Sequence, residues 1–122
     1  MGNSGERSRR RKAWRRGYVS EYVAALYLLC KGYRILSIRH KTLLGEIDIV
    51  ARKGNLAVFV EVKARRAAAQ AVDAVSFASQ HRIRAASDLW LANRPDHGLL
   101  SQRYDIVAII PGRWPRHFRD AF

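Results

Sequence analysis

The stretch GEIDIVARKGNLAVFVEVKARR, Gly45 to Arg66, constrains the fold more than any other part of the chain. Two β-prone runs flank Lys53-Gly54-Asn55, and each carries acids where a strand would be expected to carry valine. Side chains alternate along a strand. Glu46, Asp48 and Val50 therefore share one face of the first run, and Ile47, Ile49 and Ala51 the other. In the second run Ala57, Phe59, Glu61 and Lys63 oppose Leu56, Val58, Val60 and Val62. The aliphatic faces require a core, so this segment predicts a hairpin inside a sheet.

The turn decides where the acids meet. A two-residue turn on Gly54-Asn55, of type II′ with glycine first, pairs Lys53 with Leu56. Counting outward, Asp48 then faces Glu61 and Glu46 faces Lys63. A turn on Lys53-Gly54 slides the register by two and keeps the same side; a three-residue loop breaks the parity. In the first geometry Asp48 and Glu61 have Cβ atoms roughly 5 Å apart, and like charges at that range repel. Two readings account for the pair. A hard cation such as Mg²⁺, which takes carboxylate and phosphate oxygens, sits between them, with Lys63 beside it to hold a phosphate or a nucleophilic water. Alternatively the face is an ion-paired sheet surface, Glu46 with Lys63 and Asp48 with a nearby arginine.

The charge balance bears on that choice. The 122 residues carry 23 Lys and Arg against 10 Asp and Glu, for a net charge of +13. Such an excess implies an anionic partner, most often nucleic acid. A membrane surface would require a basic amphipathic helix, and none is present in the pattern. The apolar run near Val23 to Cys30 is too short to span a bilayer, and nothing resembles a secretory signal. The single Cys30 forms no internal disulfide, which fits a reducing, cytoplasmic setting, and its apolar neighbours predict a buried thiol. His40, His81, His97 and His117 are scattered without zinc-ligand spacing.

Residues 1–16 read as a basic, disordered arm. Arg7, Arg9, Arg10, Arg11, Lys12, Arg15 and Arg16 stand against Glu6 alone, a net +6. Arg9, Arg10, Arg11, Lys12, Arg15 and Arg16 are the candidates for phosphate contacts. A merely solubilising tail explains the composition equally well.

Residues 17–122 read as a single domain. Val19, Tyr22, Val23, Leu26 and Leu29 recur at helical spacing and predict an apolar helix face, stopped at Gly32. YRILSI is a short strand, followed by the hairpin. AAAQAVDAV shows no clear period. Phe77 to Ala92 is a helix lined by Ile83, Ala86, Leu89 and Trp90. RYDIVAII is a strand, and RWPRHF a short edge strand. The order α-β-β-β-α-β predicts an α/β fold with a mixed central sheet flanked by helices.

On GYVSEYVAALYLLCKGYRIL, GEIDIV, FVEVKAR, RYDIVAI and RHFRDAF, the chain from Gly17 to Phe122 resembles the YraN family. These are predicted bacterial endonucleases of the restriction-endonuclease-like PD-(D/E)XK superfamily, related to archaeal Holliday junction resolvases. The resemblance implies an αβββαβ core and Mg²⁺- or Mn²⁺-dependent hydrolysis of phosphodiester bonds, with DNA as the expected partner. It makes Asp48 the motif aspartate, Glu61 the second metal ligand and Lys63 the catalytic lysine. The carbonyl of Val62 would also ligate, and Glu21 would approach the metal from the first helix. Glu46, and Gln80 near the start of the second long helix, would support the ligands. Ile47 stands where the superfamily often has proline. A homodimer is compatible with the resemblance. A non-catalytic nucleic-acid binder, or an interaction module in DNA uptake or repair, is the alternative that keeps the fold without the chemistry.

Overall fold

A computed structural model describes residues 18–122. The expected basic arm, residues 1–16, lies outside the described residues, as does Gly17.

The first helix, α1 (residues 18–30), ends where glycine allows it to. Gly32 takes φ +92°, its amide donates to the Leu29 carbonyl at 3.0 Å, and that of Tyr33 donates to Leu28 at 3.1 Å. This paired closure needs a left-handed residue after the last turn. Five strands follow: β1 (Arg34–Lys41), β2 (Glu46–Lys53), β3 (Leu56–Ala64), β4 (Ser101–Ile109) and β5 (Arg116–Phe118). They form one sheet in the order β1-β2-β3-β4-β5, with β3 and β4 parallel and every other pair antiparallel. The chain crosses from β3 to β4 through α2 (Ala68–Asp73) and α3 (Phe77–Ala92). The expected α/β fold, a mixed sheet flanked by helices, is observed, and it is compatible with a restriction-endonuclease-like core.

The helix α2 forms where the alanine-rich run shows no period. Alanine has the highest helix propensity but marks no face, so periodicity misses it. The start of α3 is fixed by Ser76, whose hydroxyl accepts from the Ser79 amide at 3.2 Å. That bond satisfies one of the helix's free N–H groups.

Both faces of the sheet are buried. On one, Ile49, Ala51, Val58, Val60, Val62 and Val107 pack against Ala24, Ala25 and Leu28 of α1. On the other, Val50, Ala57, Phe59 and Ile106 pack against Ile83, Ala86, Trp90 and Leu91 of α3. The face that carries the acids is therefore core over most of its length and polar only at one end.

The helix α1 corrects the sequence reading. Val19, Tyr22, Val23, Leu26 and Leu29 point outward and are exposed, while Ser20, Glu21, Ala24, Ala25 and Leu28 face the sheet. Both sides of this helix are apolar enough to satisfy the periodicity. The side with small residues lets the helix lie close to the strands, and it brings Glu21 inward. Cys30, expected to be buried, lies on the exposed side.

Candidate functional site

The hairpin register follows from the turn. Gly54 has φ +60°, as the first position of a type II′ turn requires, and Lys53 pairs with Leu56. The ladder runs to Ile49 opposite Val60, so the next positions outward are Asp48 and Glu61. There the strands begin to part. The Val62 amide donates to Asp48 Oδ2 at 2.8 Å instead of to a backbone carbonyl of β2.

Glu46, Asp48 and Glu61 line a cleft of about 240 Å³ together with Ser79, Arg82 and Ile83 of α3. Its closeness to α3 depends on Gly45. A Cβ at that position would lie 2.8 Å from the Arg82 carbonyl oxygen and 3.1 Å from the Arg82 Cβ. Only glycine permits the strand and the helix to meet there.

The electrostatics of the cleft are unbalanced. Burial, followed by the charge of Asp48 and a hydrogen bond with it, raises Glu61 to about 8, against the pull of Lys63. Lys63 Nζ lies 3.5 Å from Glu61 Oε1. Among the described residues neither Asp48 nor Glu46 forms an ion pair; Lys63 pairs with Glu61 in place of Glu46, and no arginine neutralises Asp48. Two carboxyls at this range share a proton when no cation is present.

Glu21 reaches the same region from α1. It is buried, and desolvation raises its pKa. A hydrogen bond from Arg39 opposes that rise, while the charges of Asp48 and Glu46 add to it. Arg39 is itself constrained: it adopts φ +56° within β1, its guanidinium stacks 3.4 Å from the centre of the Tyr18 ring, and its Nε donates to Glu21 Oε2. A non-glycine residue in that conformation stores strain, which surrounding contacts must hold.

The structure thus brings Glu46, Asp48 and Glu61 to one cleft, with Lys63 on Glu61, the Val62 backbone on Asp48, and Glu21 close enough to feel the charges of Asp48 and Glu46. Gln80 is elsewhere: its side-chain amide donates to the Val75 carbonyl at 3.3 Å, and Ser79 and Arg82 face the cleft in its place. Arg39 and Arg82 were not singled out from the sequence. Gly45, directly before Glu46, is the signal that marks a close approach there. Among the described residues no group of three or more His, Cys, Asp or Glu side chains converges as a ready-made metal cage.

A second polar cluster lies under the far end of α1. Asp105, fully buried, accepts from Arg103 Nε and Nη2, both at 2.8 Å, and from the Asp120 amide at 3.0 Å; His117 Nε2 lies 2.6 Å from it. Lys31 Nζ is 2.7 Å from His117 Nδ1, and Arg103 donates to the Tyr33 hydroxyl at 2.8 Å. With the ammonium donating to Nδ1, the imidazole proton sits on Nε2 and is donated to Asp105. His117 therefore pins β5 and α1 to β4.

The fold and the cleft define a class: a small α/β protein with a mixed five-stranded sheet and a carboxylate pair at the open end of a hairpin. The chain belongs to uncharacterised protein family UPF0102, whose model matches residues 20–109, and the YraN resemblance holds at this level. It is 71% identical to the UPF0102 protein of Rhizobium johnstonii and 61% identical to that of Agrobacterium fabrum, each over the full length of both chains. It is 54% identical to the UPF0102 protein of Mesorhizobium japonicum over 93% of this chain and 90% of the relative. Among the described residues no helix is long and apolar enough to cross a membrane.

Proposed function

We propose that this protein is a metal-dependent nuclease of the PD-(D/E)XK type, hydrolysing phosphodiester bonds in DNA. The observation that carries the reading is the neighbouring pair Asp48 and Glu61, whose Asp48 has no cationic side chain upon it. The residues fit Mg²⁺ or Mn²⁺. The donors are hard carboxylate oxygens on an open cleft, and the proton that Glu61 retains stands where a cation's charge would. Asp48, Glu61 and the carbonyl of Val62 would hold the ion, with Glu21 at its margin. When bound, such an ion supplies Lewis-acid stabilisation of phosphoryl oxygens and eases ionisation of a water.

The remaining work falls to the chain's own groups. Lys63, on Glu61, holds its ammonium where a phosphate oxygen or an attacking water would be fixed. Arg82 adds positive charge on the α3 side of the cleft. Arg65 and Arg66, exposed directly after β3, line a neighbouring groove with Val19, Ser20 and Ile109, and they suit a phosphate backbone leaving the cleft. Residues 9–16 would extend that grip.

The test joins calorimetric titration of Mn²⁺ with a cleavage assay on duplex, single-stranded, flapped and four-way DNA. The reading requires Mn²⁺ binding that Asp48→Asn abolishes, and cleavage that Lys63→Ala reduces by orders of magnitude while Mn²⁺ binding survives. Cleavage undiminished in Lys63→Ala would mean a contaminating nuclease or a different site. A second reading, a DNA binder that does not cut, draws on the neutralisation of Glu21 by Arg39, which engages one of the carboxylates a metal would use. It requires no cleavage by wild type on any substrate and an effect of Lys63→Ala on affinity alone.

A further inference from the structure

Lys31 is the first residue beyond α1, at the opposite end of that helix from Glu21. A lysine ordinarily keeps its ammonium in water or on an acid. This one lies on a base: Nζ is 2.7 Å from His117 Nδ1. His117 Nε2 is in turn 2.6 Å from Asp105, and the His117 side chain is 2% exposed. Asp105 is fully buried and held by Arg103 and the Asp120 amide. The order is amine, imidazole, carboxylate, each within hydrogen-bond reach of the next. In that arrangement a base activates a nucleophile and an acid orients the base.

A helix anchor alone would be better served by a carboxylate, which adds Coulombic attraction to the bond. What an imidazole adds instead is the capacity to take the proton. The surroundings also oppose the charge of Lys31. Desolvation, followed by Arg119 and Lys53, lowers its pKa, against the pull of Tyr33 and Asp105. Lys53 is fixed nearby: its Nζ donates to the Lys31 carbonyl at 3.2 Å and lies 4.9 Å from the centre of the Tyr33 ring. Lys31 Nζ stands 5.2 Å from the centre of the Tyr27 ring, and the residue is half-buried, not sealed from solvent. Desolvation and adjacent cations are conditions that make a lysine an amine nucleophile. The same cations attract an anionic reagent.

We propose that Lys31 is an acylation site at which His117 acts as general base, and that its acyl donor is a small acyl phosphate. The unprotonated Nζ attacks the carbonyl carbon. A C–N bond forms, and the C–O bond to phosphate breaks, its electron pair leaving on the phosphate oxygen. His117 Nδ1 takes the proton that the nitrogen sheds, Asp105 holds the imidazolium, and the proton passes on to the departing phosphate. Nothing is oxidised or reduced. Lys53 and Arg119 favour a donor that carries phosphate charge over an uncharged ester. The product amide has no charge, so acylation removes the ammonium from the contact that fastens α1 to β5. No residue of the cleft takes part, and the inference stands apart from the nuclease reading.

The experiment treats the full chain with acetyl phosphate and follows Lys12, Lys31, Lys41, Lys53 and Lys63 by peptide mass spectrometry. Lys41, exposed at the end of β1, is the internal standard. Lys31 should be acetylated about tenfold faster than Lys41 or more, a modest share of what a positioned base supplies. The excess should vanish in guanidinium chloride, where the relay is gone, and shrink with a neutral N-hydroxysuccinimide ester. The ratio of the two rates cancels the titration common to both lysines. It should nevertheless fall as pH is lowered from about 8 to about 5, where an imidazole takes up a proton and ceases to accept one. His117→Phe keeps a ring against Tyr33 and removes the base, and should bring the ratio below about threefold. A melting curve reports whether that variant folds; if it does not, the pH profile of the wild type decides. Parity of Lys31 with Lys41 in the folded wild type, a ratio that stays flat with pH, or an undiminished ratio in folded His117→Phe overturns the proposal. A ratio as large with the neutral ester overturns the acyl phosphate as donor.

Discussion

The Val62 amide donates to the Asp48 carboxylate at 2.8 Å across the hairpin, at the point where β2 and β3 begin to part. The bond fixes one oxygen of Asp48 and leaves the other directed toward Glu61 and the cleft. Asp48→Asn keeps an acceptor for Val62 but removes the charge. Mn²⁺ affinity should fall by about two orders of magnitude or more, since one of two hard anionic donors is lost. The melting temperature without metal should hold or rise above about pH 8, where Glu61 ionises and its repulsion by Asp48 would be relieved. Calorimetry beside a melting curve checks both.

Glu61 makes stability depend on pH in a definite direction. Its carboxyl is raised from 4.5 to about 8 by burial and by Asp48, so the folded chain holds a proton that the unfolded chain releases. Its favourable contribution is complete below 4.5 and is lost as pH rises through about 8. Metal-free protein should therefore melt at falling temperatures across that window, and Glu61→Gln should flatten the fall. At the proposed metal site Mn²⁺ would compete with the same proton, so its affinity should rise with pH.

Gly45→Ala tests the approach of β2 to α3. The added methyl meets a backbone oxygen at 2.8 Å, which cannot rotate away as a side chain could. The expected cost is about 1–3 kcal/mol in urea unfolding, as for other overpacked sites. Gly54→Ala, where nothing lies within 4 Å, separates the effect: any loss there reflects the positive φ alone.

Asp105 is the most heavily committed acid among the described residues. Burial alone would raise it, but His117, Arg103 and the Asp120 amide outweigh burial and hold it at about 2. Its contribution is present above 3.8 and fades as pH falls through about 2. Asp105→Asn leaves Arg103 and His117 without their anion, and should cost about 3–5 kcal/mol, the usual consequence of breaking one side of a buried pair. Denaturant titration at neutral pH measures it.

Deletion of residues 1–16 removes a net +6. If the arm holds phosphates, the slope of log K against log salt should flatten by about 0.7 to 0.9 for each phosphate that the shortened chain no longer neutralises. An unchanged slope would assign the arm to solubility.

Much of this was legible from local chemistry. Alternation and a two-residue turn on Gly54-Asn55 place Asp48 opposite Glu61, and the observed Lys53–Leu56 pair selects that register over the turn on Lys53-Gly54 that the sequence also allowed. Periodicity gave α3 its bounds, Phe77 to Ala92, while the Ser76 cap that starts it came only from the structure. The side of α1 that turns inward was not legible, because Val19, Leu26 and Leu29 are more apolar than the alanines that pack. What decides is close approach to the sheet and the placement of Glu21, neither of which a one-dimensional pattern contains. The partners of Glu21 and His117 were hidden for a similar reason. Arg39 and Lys31 lie 18 and 86 residues away from them, and no spacing rule reaches that far.

The seating of α1 gives it a mechanical character unlike that of the other long helix. Its inward side is mostly small, Ser20, Ala24 and Ala25 with Leu28, and so yields little apolar grip. What secures it is a polar rivet at each end: Arg39 between Tyr18 and Glu21 at one, Lys31 on His117 at the other. Salt screens such contacts in proportion to their exposure, so the partly buried Arg39–Glu21 pair weakens less than a surface pair would, whereas a greasy interface is not screened at all. Amide exchange in α1 should therefore quicken in high salt while α3 stays protected. Because Glu21 travels with the helix, each loosening would carry an acid away from the cleft, so ionic strength would govern the number of carboxylates facing it.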